Sequence, residues 1–168
     1  MEELPYANQT FNVVTGFNSF QFAASPVNAL KEARRVSRTG ASLVIAVFGK
    51  PEDTEASAYF AALASLLPPP PPGTPGPFAL SFDGVLEALV TQAGMNPGKI
   101  EQVDCPWEYP DDRTVLRGLL STAPSIRVIH HAGEEVLRDT ILKALAPFKT
   151  ASGGYHIRNK ARYMIVKT

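Results

Sequence analysis

The sequence predicts an α/β protein whose strands lie parallel at the start of the chain. Two apolar runs flank one amphipathic helix. FNVVTGF at residues 11–17 sets Phe11, Val13, Val14 and Phe17 between polar neighbours, as in a strand. SLVIAVF at residues 42–48 is almost wholly apolar and rich in β-branched residues, the pattern of a strand covered on both faces. Between them lies SPVNALKEARRVSRTG, and strand, helix and strand at this spacing make one right-handed βαβ unit.

The helix is well signposted. Ser25 is placed to cap its amino end with Pro26 at the first helical position, and Val27, Leu30, Ala33 and Val36 share one face. Arg34, Arg35 and Arg38 gather at the negative end of the dipole, and Gly40 is expected as the left-handed cap. An Ala/Leu-rich helix follows at 54–67, stopped by five prolines from Pro68 to Pro72. Residues 68–77 read as a stiff extended connector inside one domain spanning 1–168. The pattern then predicts a helix within 82–95 closed by Gly94, a half-buried strand at 99–107, and a helix at 111–122 introduced by Asp111. A helix at 134–148 stopped by Pro147 and a strand at 155–168 with a bulge near Asn159 complete the chain, which shows no internal repeat.

Composition narrows the function. The 168 residues carry 16 basic and 16 acidic side chains, so no net field points to nucleic acid or an anionic membrane. No apolar run approaches the length of a membrane span, and MEELPY lacks the features of a signal peptide. The one cysteine, Cys105, has no internal partner, which suits a reducing, cytoplasmic setting. Together these describe a soluble domain.

Few residues carry chemistry of their own. GTPG at 73–76 lacks the spacing of a phosphate-binding loop. His130 and His131 are adjacent and would diverge, and His156 stands alone in the last strand, so no metal site is expected. Cys105, beside Pro106 and Trp107, has no basic neighbour in sequence to activate it. The best candidates are Phe17, Asn18, Ser19, Phe20 and Gln21, because open α/β sheets bind ligands beyond the carboxyl ends of their strands.

Residues 4–49 resemble the second half of the class I S-adenosylmethionine-dependent methyltransferase domain, in the group acting on small molecules such as quinones. The family form L-P-F-x-(D/N)-x-x-F-D-V-V is met by Leu4, Pro5, Tyr6, Phe11, Val13 and Val14, with Asn18 following the strand. The following form D-P-x-x-A-L-x-E-x-x-R-V-x-(R/K)-x-G-G is met by Pro26, Ala29, Leu30, Glu32, Arg35, Val36, Arg38 and Gly40. The carboxyl-terminal ALAPF and GGYHIRN also resemble the tail of some members. Asn12 departs from a usual Asp, Gln21 and Phe22 from a frequent His, and Ala41 from the second Gly.

This resemblance implies a Rossmann-like sheet in which the strands here correspond to four, five, seven and six. It implies methyl transfer from S-adenosylmethionine to a small molecule, with Phe17 and Asn18 bordering the cofactor and Ser19, Phe20 and Gln21 facing the acceptor. The connector and the helix after it would cover the acceptor. No catalytic residue is assigned. The resemblance also implies that the chain begins within the domain, after the glycine-rich loop and the ribose-binding acid. The chain alone is then expected to bind the cofactor weakly or not at all and to be inactive. Strand 11–17 would form an open edge and pair with its own copy in a homodimer. A non-catalytic interaction protein, or one half of a split enzyme, is the alternative expectation.

Overall fold

The computed structural model describes residues 1–72 and 74–168. Along the chain come β1 (Phe11–Phe17), α1 (Pro26–Val36), β2 (Ser37–Phe48), α2 (Ser57–Ser65), α3 (Val85–Gln92) and β3 (Ile100–Asp104). They are followed by β4 (Trp107–Tyr109), α4 (Asp112–Leu120), α5 (Ala123–Ala132), α6 (Glu134–Leu145), β5 (Tyr155–Ile157) and β6 (Lys160–Lys167). These elements form two compact units. The first holds Met1–Lys50, Pro75–Asp104 and Lys160–Thr168; the second holds Pro51–Thr74 and Cys105–Asn159.

The first unit is a four-stranded sheet in the order β1-β2-β6-β3, the expected four-five-seven-six arrangement. β1 and β2 run parallel, joined by α1, and β6 lies antiparallel to both β2 and β3. Register explains the core. Val14, Leu43, Ile45, Met164 and Val166 fall on one face, with Leu30, Ala33, Leu86 and Val90 of α1 and α3 in the same apolar cluster. Burying a side chain of this size contributes about 1.5–3 kcal/mol. The opposite face differs from the covered surface expected for residues 42–48. Ser42, Val44, Ala46 and Phe48 are only half-buried, and Val13, Phe17, Ile165 and Val103 on the same face are exposed.

α1 starts as its sequence predicts: the Ser25 hydroxyl accepts the Asn28 N–H at 3.3 Å and Pro26 occupies the first turn. It ends four residues before Gly40. Ser37 donates its hydroxyl to the Ala33 carbonyl at 2.8 Å and already pairs with Phe11, so sheet pairing captures the chain before the expected cap is reached. Gly40 instead takes φ 79° inside β2, where the β1–β2 register slips between Phe11 and Val13.

The second unit packs α2, α4, α5 and α6 with the short antiparallel pair β4–β5. Its core contains Leu63, Leu116, Leu137, Ile141, Leu145 and Ile157 around Tyr59. The Tyr59 hydroxyl meets Thr122 Oγ1 at 2.6 Å and Ser125 Oγ at 2.9 Å. The strand expected at 99–107 divides into β3 and β4, and the strand expected at 155–168 divides into β5 and β6. Both divisions centre on Asn159, whose carbonyl accepts the Cys105 N–H and whose buried amide holds Ala56 and Ile157. α5 has no counterpart in the sequence reading, although Thr122 accepts the Ser125 N–H and Pro124 occupies its first turn. Of the predicted connector 68–77, Pro68–Pro72 is exposed and Gly73 lies outside the described residues.

Candidate functional site at the carboxyl ends of β1 and β2

Beyond β1 the chain turns sharply. Asn18 takes φ 46°, a left-handed conformation uncommon outside glycine, and its N–H donates to the Ala46 carbonyl of β2 at 2.8 Å. Residues 20–22 then form one 3-10 turn leading to α1. The turn is anchored from below. The Phe20 ring is buried against Gly16, where a Cβ would stand 2.8 and 2.9 Å from its Cδ2 and Cζ atoms. Glycine at 16 is therefore what lets Phe20 lie under the strand.

This anchoring sorts the five sequence candidates. Phe17 presents its ring at 65% exposure, Asn18 is exposed and Ser19 is half-buried. Phe20 is floor, its ring in the apolar core. Gln21 is 3% exposed; its amide reaches Asn18 Oδ1 at 3.4 Å, while its carbonyl oxygen has no protein partner. A buried carbonyl without a donor costs about 1–3 kcal/mol, so Gln21 is more than filler. The loop thus combines an exposed aromatic ring, a strained backbone turn and an amide with unused hydrogen-bonding capacity.

The end of β2 adds a charged group that sequence reasoning did not single out. Arg162 on β6 reaches back along the sheet, with its side chain only 8% exposed, and donates to the Ser81 carbonyl. It also meets Asp83 at 3.0 Å, and Lys50 meets the same carboxylate at 2.7 Å. The two cations, Lys50 first, hold Asp83 below the ordinary carboxylate range. Arg162 Nε is buried without a partner. In the sheet it lies opposite Val47 of β2; in the sequence it shows only as an arginine at the start of the apolar run of β6.

The remaining candidates lie elsewhere. His130 and His131 sit in the last turn of α5, and His156 in β5 meets Glu108 at 3.1 Å. Cys105 is exposed. Among the described residues no cluster of His, Cys, Asp and Glu could hold a metal ion, and no helix is long and apolar enough to cross a membrane.

Comparison with known proteins assigns the fold. Residues 1–45 match the sequence model of a family described as the methyltransferase domain. A candidate methyltransferase from Bacillus halodurans superposes with a TM-score of 0.52 at 15% identity, over 99% of this chain and 68% of the other. The YcgJ protein from Bacillus subtilis gives 0.54 at 18%, over 99% and 68%. The [4+2]-cyclase SpnF gives 0.50 at 19%, over 99% of this chain and 54% of its own. No curated protein matches. The chain therefore has the fold of the class I methyltransferases, and over its first 45 residues it resembles them in sequence as well.

Proposed function

We propose that this chain is a class I methyltransferase-type protein whose ligand site is the 17–21 turn, with S-adenosylmethionine as cofactor and a small molecule as acceptor. Once bound, the cofactor would supply an electrophilic methyl group on sulfonium sulfur. An acceptor atom would form the new bond to that carbon as the carbon–sulfur bond breaks. The protein's part is to hold the two in line. Phe17 and the Asn18 turn suit the border of the cofactor; Ser19 and Gln21, above the Phe20 floor, suit the acceptor side. The observation that carries this reading is the buried Gln21 carbonyl without a protein donor, at the sheet end where such folds bind ligands.

The turn supplies one wall of a pocket, so affinity of the chain alone should be low, on the order of millimolar. Titration with S-adenosylhomocysteine, followed by amide chemical shifts, should move Phe17–Gln21 first. Shifts confined to other residues, or none at saturating ligand, would remove this assignment.

A second reading rests on the edge of the sheet. Among the described residues β1 pairs only with β2, and Val13 at 56% exposure shares with Phe17 the sheet face opposite α1 and α3. In residues 1–10, Leu4 and Asn8 are held by Glu32 and Arg35 of α1. We infer pairing with a second copy through strand 11–17, giving one sheet of eight strands, two copies of the four seen here. Sedimentation at micromolar concentration tests it: a monodisperse monomer refutes the dimer.

A further inference from the structure

At the opposite end of the same strands lies a second cleft. It has a volume of about 460 Å³ and is lined by Lys31, Arg34, Arg35 and Arg38, with Asn8 and Gln9 from the amino-terminal segment. No aspartate or glutamate side chain lines it. The chain as a whole is neutral, so four cations around one cleft, of which only Arg35 is neutralised by a carboxylate (Glu32), make a local asymmetry.

Cations near the last turn of a helix answer its dipole, and that accounts for part of the pattern. It does not account for how they are used. Arg35 is committed: its guanidinium donates to both oxygens of Glu32 and to Asn8 Oδ1. Arg38 is partly committed, to the Gln9 carbonyl at 3.3 Å and Asn12 Oδ1 at 3.0 Å. Among the described residues the side chains of Lys31 and Arg34 have neither an ion pair nor a hydrogen bond. Spaced one turn apart on α1, they repel one another by a few tenths of a kcal/mol, roughly the worth of a like-charged helical pair. The Arg34 guanidinium lies over Gly94, which takes φ 78° just past α3; a Cβ there would come 2.7 Å from its terminal nitrogen. Gln9, at the rim, holds φ 55°.

We propose that this cleft binds a small phosphate-bearing ligand, a phosphomonoester or diphosphate. Two unpaired cations with a half-used guanidinium fork match a multivalent oxyanion. The volume falls in the range of small-ligand pockets, which are about 300–1,000 Å³. Since it flanks the amino end of β2, away from the 17–21 turn, the assignment is independent of the methyl-transfer reading.

Inorganic pyrophosphate is the probe, titrated calorimetrically into the full chain at low salt, about 50 mM, where screening is weak. Saturable binding is expected, and Lys31→Ala and Arg34→Ala should each weaken it about tenfold, the worth of one charge-assisted contact. Arg117→Ala in α4 should leave it unchanged, and Lys31→Arg should restore it. All three positions are exposed, so circular dichroism should report folded protein throughout. Absence of saturation, equal affinity in every variant, or binding only to anionic vesicles or oligonucleotides would overturn the proposal.

Discussion

Replacing Gly16 with alanine tests the packing that positions the candidate site. The added Cβ would lie within 3 Å of Phe20 Cδ2 and Cζ, closer than real contacts allow. Phe20 cannot retreat freely, for it is 5% exposed in a core with Leu30, Leu43 and Val90. Overpacking of this kind costs about 1–3 kcal/mol. Against that, alanine in a strand gains about 0.5–1 kcal/mol over glycine in chain entropy. The clash wins, and the net loss should be about 1–2 kcal/mol, or roughly 2–8 °C in melting temperature for a chain of this size. In a Phe20→Ala background the clash is gone and only the entropy remains. Phe20→Ala should itself cost about 3–5 kcal/mol, and adding Gly16→Ala should then be neutral or stabilising by up to about 1 kcal/mol. Urea denaturation of the four proteins gives the coupling. A stabilised Gly16→Ala single variant, or the same loss in both backgrounds, would refute the claim that glycine is there to admit the ring.

Other changes have equally definite signs. Gln21→Met removes a carbonyl that has no partner, so it should be neutral or raise stability by about 1 kcal/mol while abolishing the shifts that S-adenosylhomocysteine induces in the turn. A loss above about 1 kcal/mol would show the carbonyl to be structurally bonded. Tyr59→Phe strips a buried hydroxyl from Leu119, Thr122 and Ser125 and should cost about 1–3 kcal/mol in thermal unfolding of the second unit. Glu32 is held at about 2, from an ordinary 4.5, by the Arg35 guanidinium and then the Leu4 N–H. A depressed carboxylate stabilises above its unfolded value, so this support is complete above pH 4.5 and fades as pH falls toward 2. Faster hydrogen exchange at Leu4 over that window, absent in Glu32→Gln, is the expected signature.

Legibility followed the range of the interactions. α1, its Ser25 cap and the β1–β2 pair were readable because local periodicity and capping chemistry specify them. The carboxyl boundary of α1 was not, because Ser37 is drawn into pairing with Phe11, a partner twenty-six residues away that no local signal names. α5 was missed although Thr122 caps it and Pro124 is its first-turn proline, because both follow directly on the end of α4. The strand breaks at Cys105 and Asn159 depend on one buried asparagine holding two distant segments. At the site, the position of the 17–21 turn followed from topology. The burial of Phe20 and Gln21, and the Lys50–Asp83–Arg162 group, required the tertiary register.

The residues that carry the family resemblance hold one another. Leu4 donates its N–H to Glu32 at 2.8 Å, and Arg35 returns a bond to the Leu4 carbonyl at 3.2 Å, so three matched positions form one clamp. Tyr6 packs edge-on against Phe11, 4.9 Å between centroids, joining two more. Glu2 adds a bond to the Ser25 N–H at the start of α1. These contacts fasten residues 1–10 to α1 and thereby set where β1 enters the sheet. None of them touches the 17–21 turn directly. Sequence likeness over residues 1–45 is thus first a record of how this βαβ unit is tied together. Chemistry has to be argued from the turn itself, and the [4+2]-cyclase of the same fold shows why the two must be kept apart. A variant that breaks the clamp, Arg35→Ala, should free residues 1–10 in hydrogen exchange while leaving Asn18 bonded to Ala46. Loss of protection at Asn18 in that variant would mean the clamp and the site are one unit.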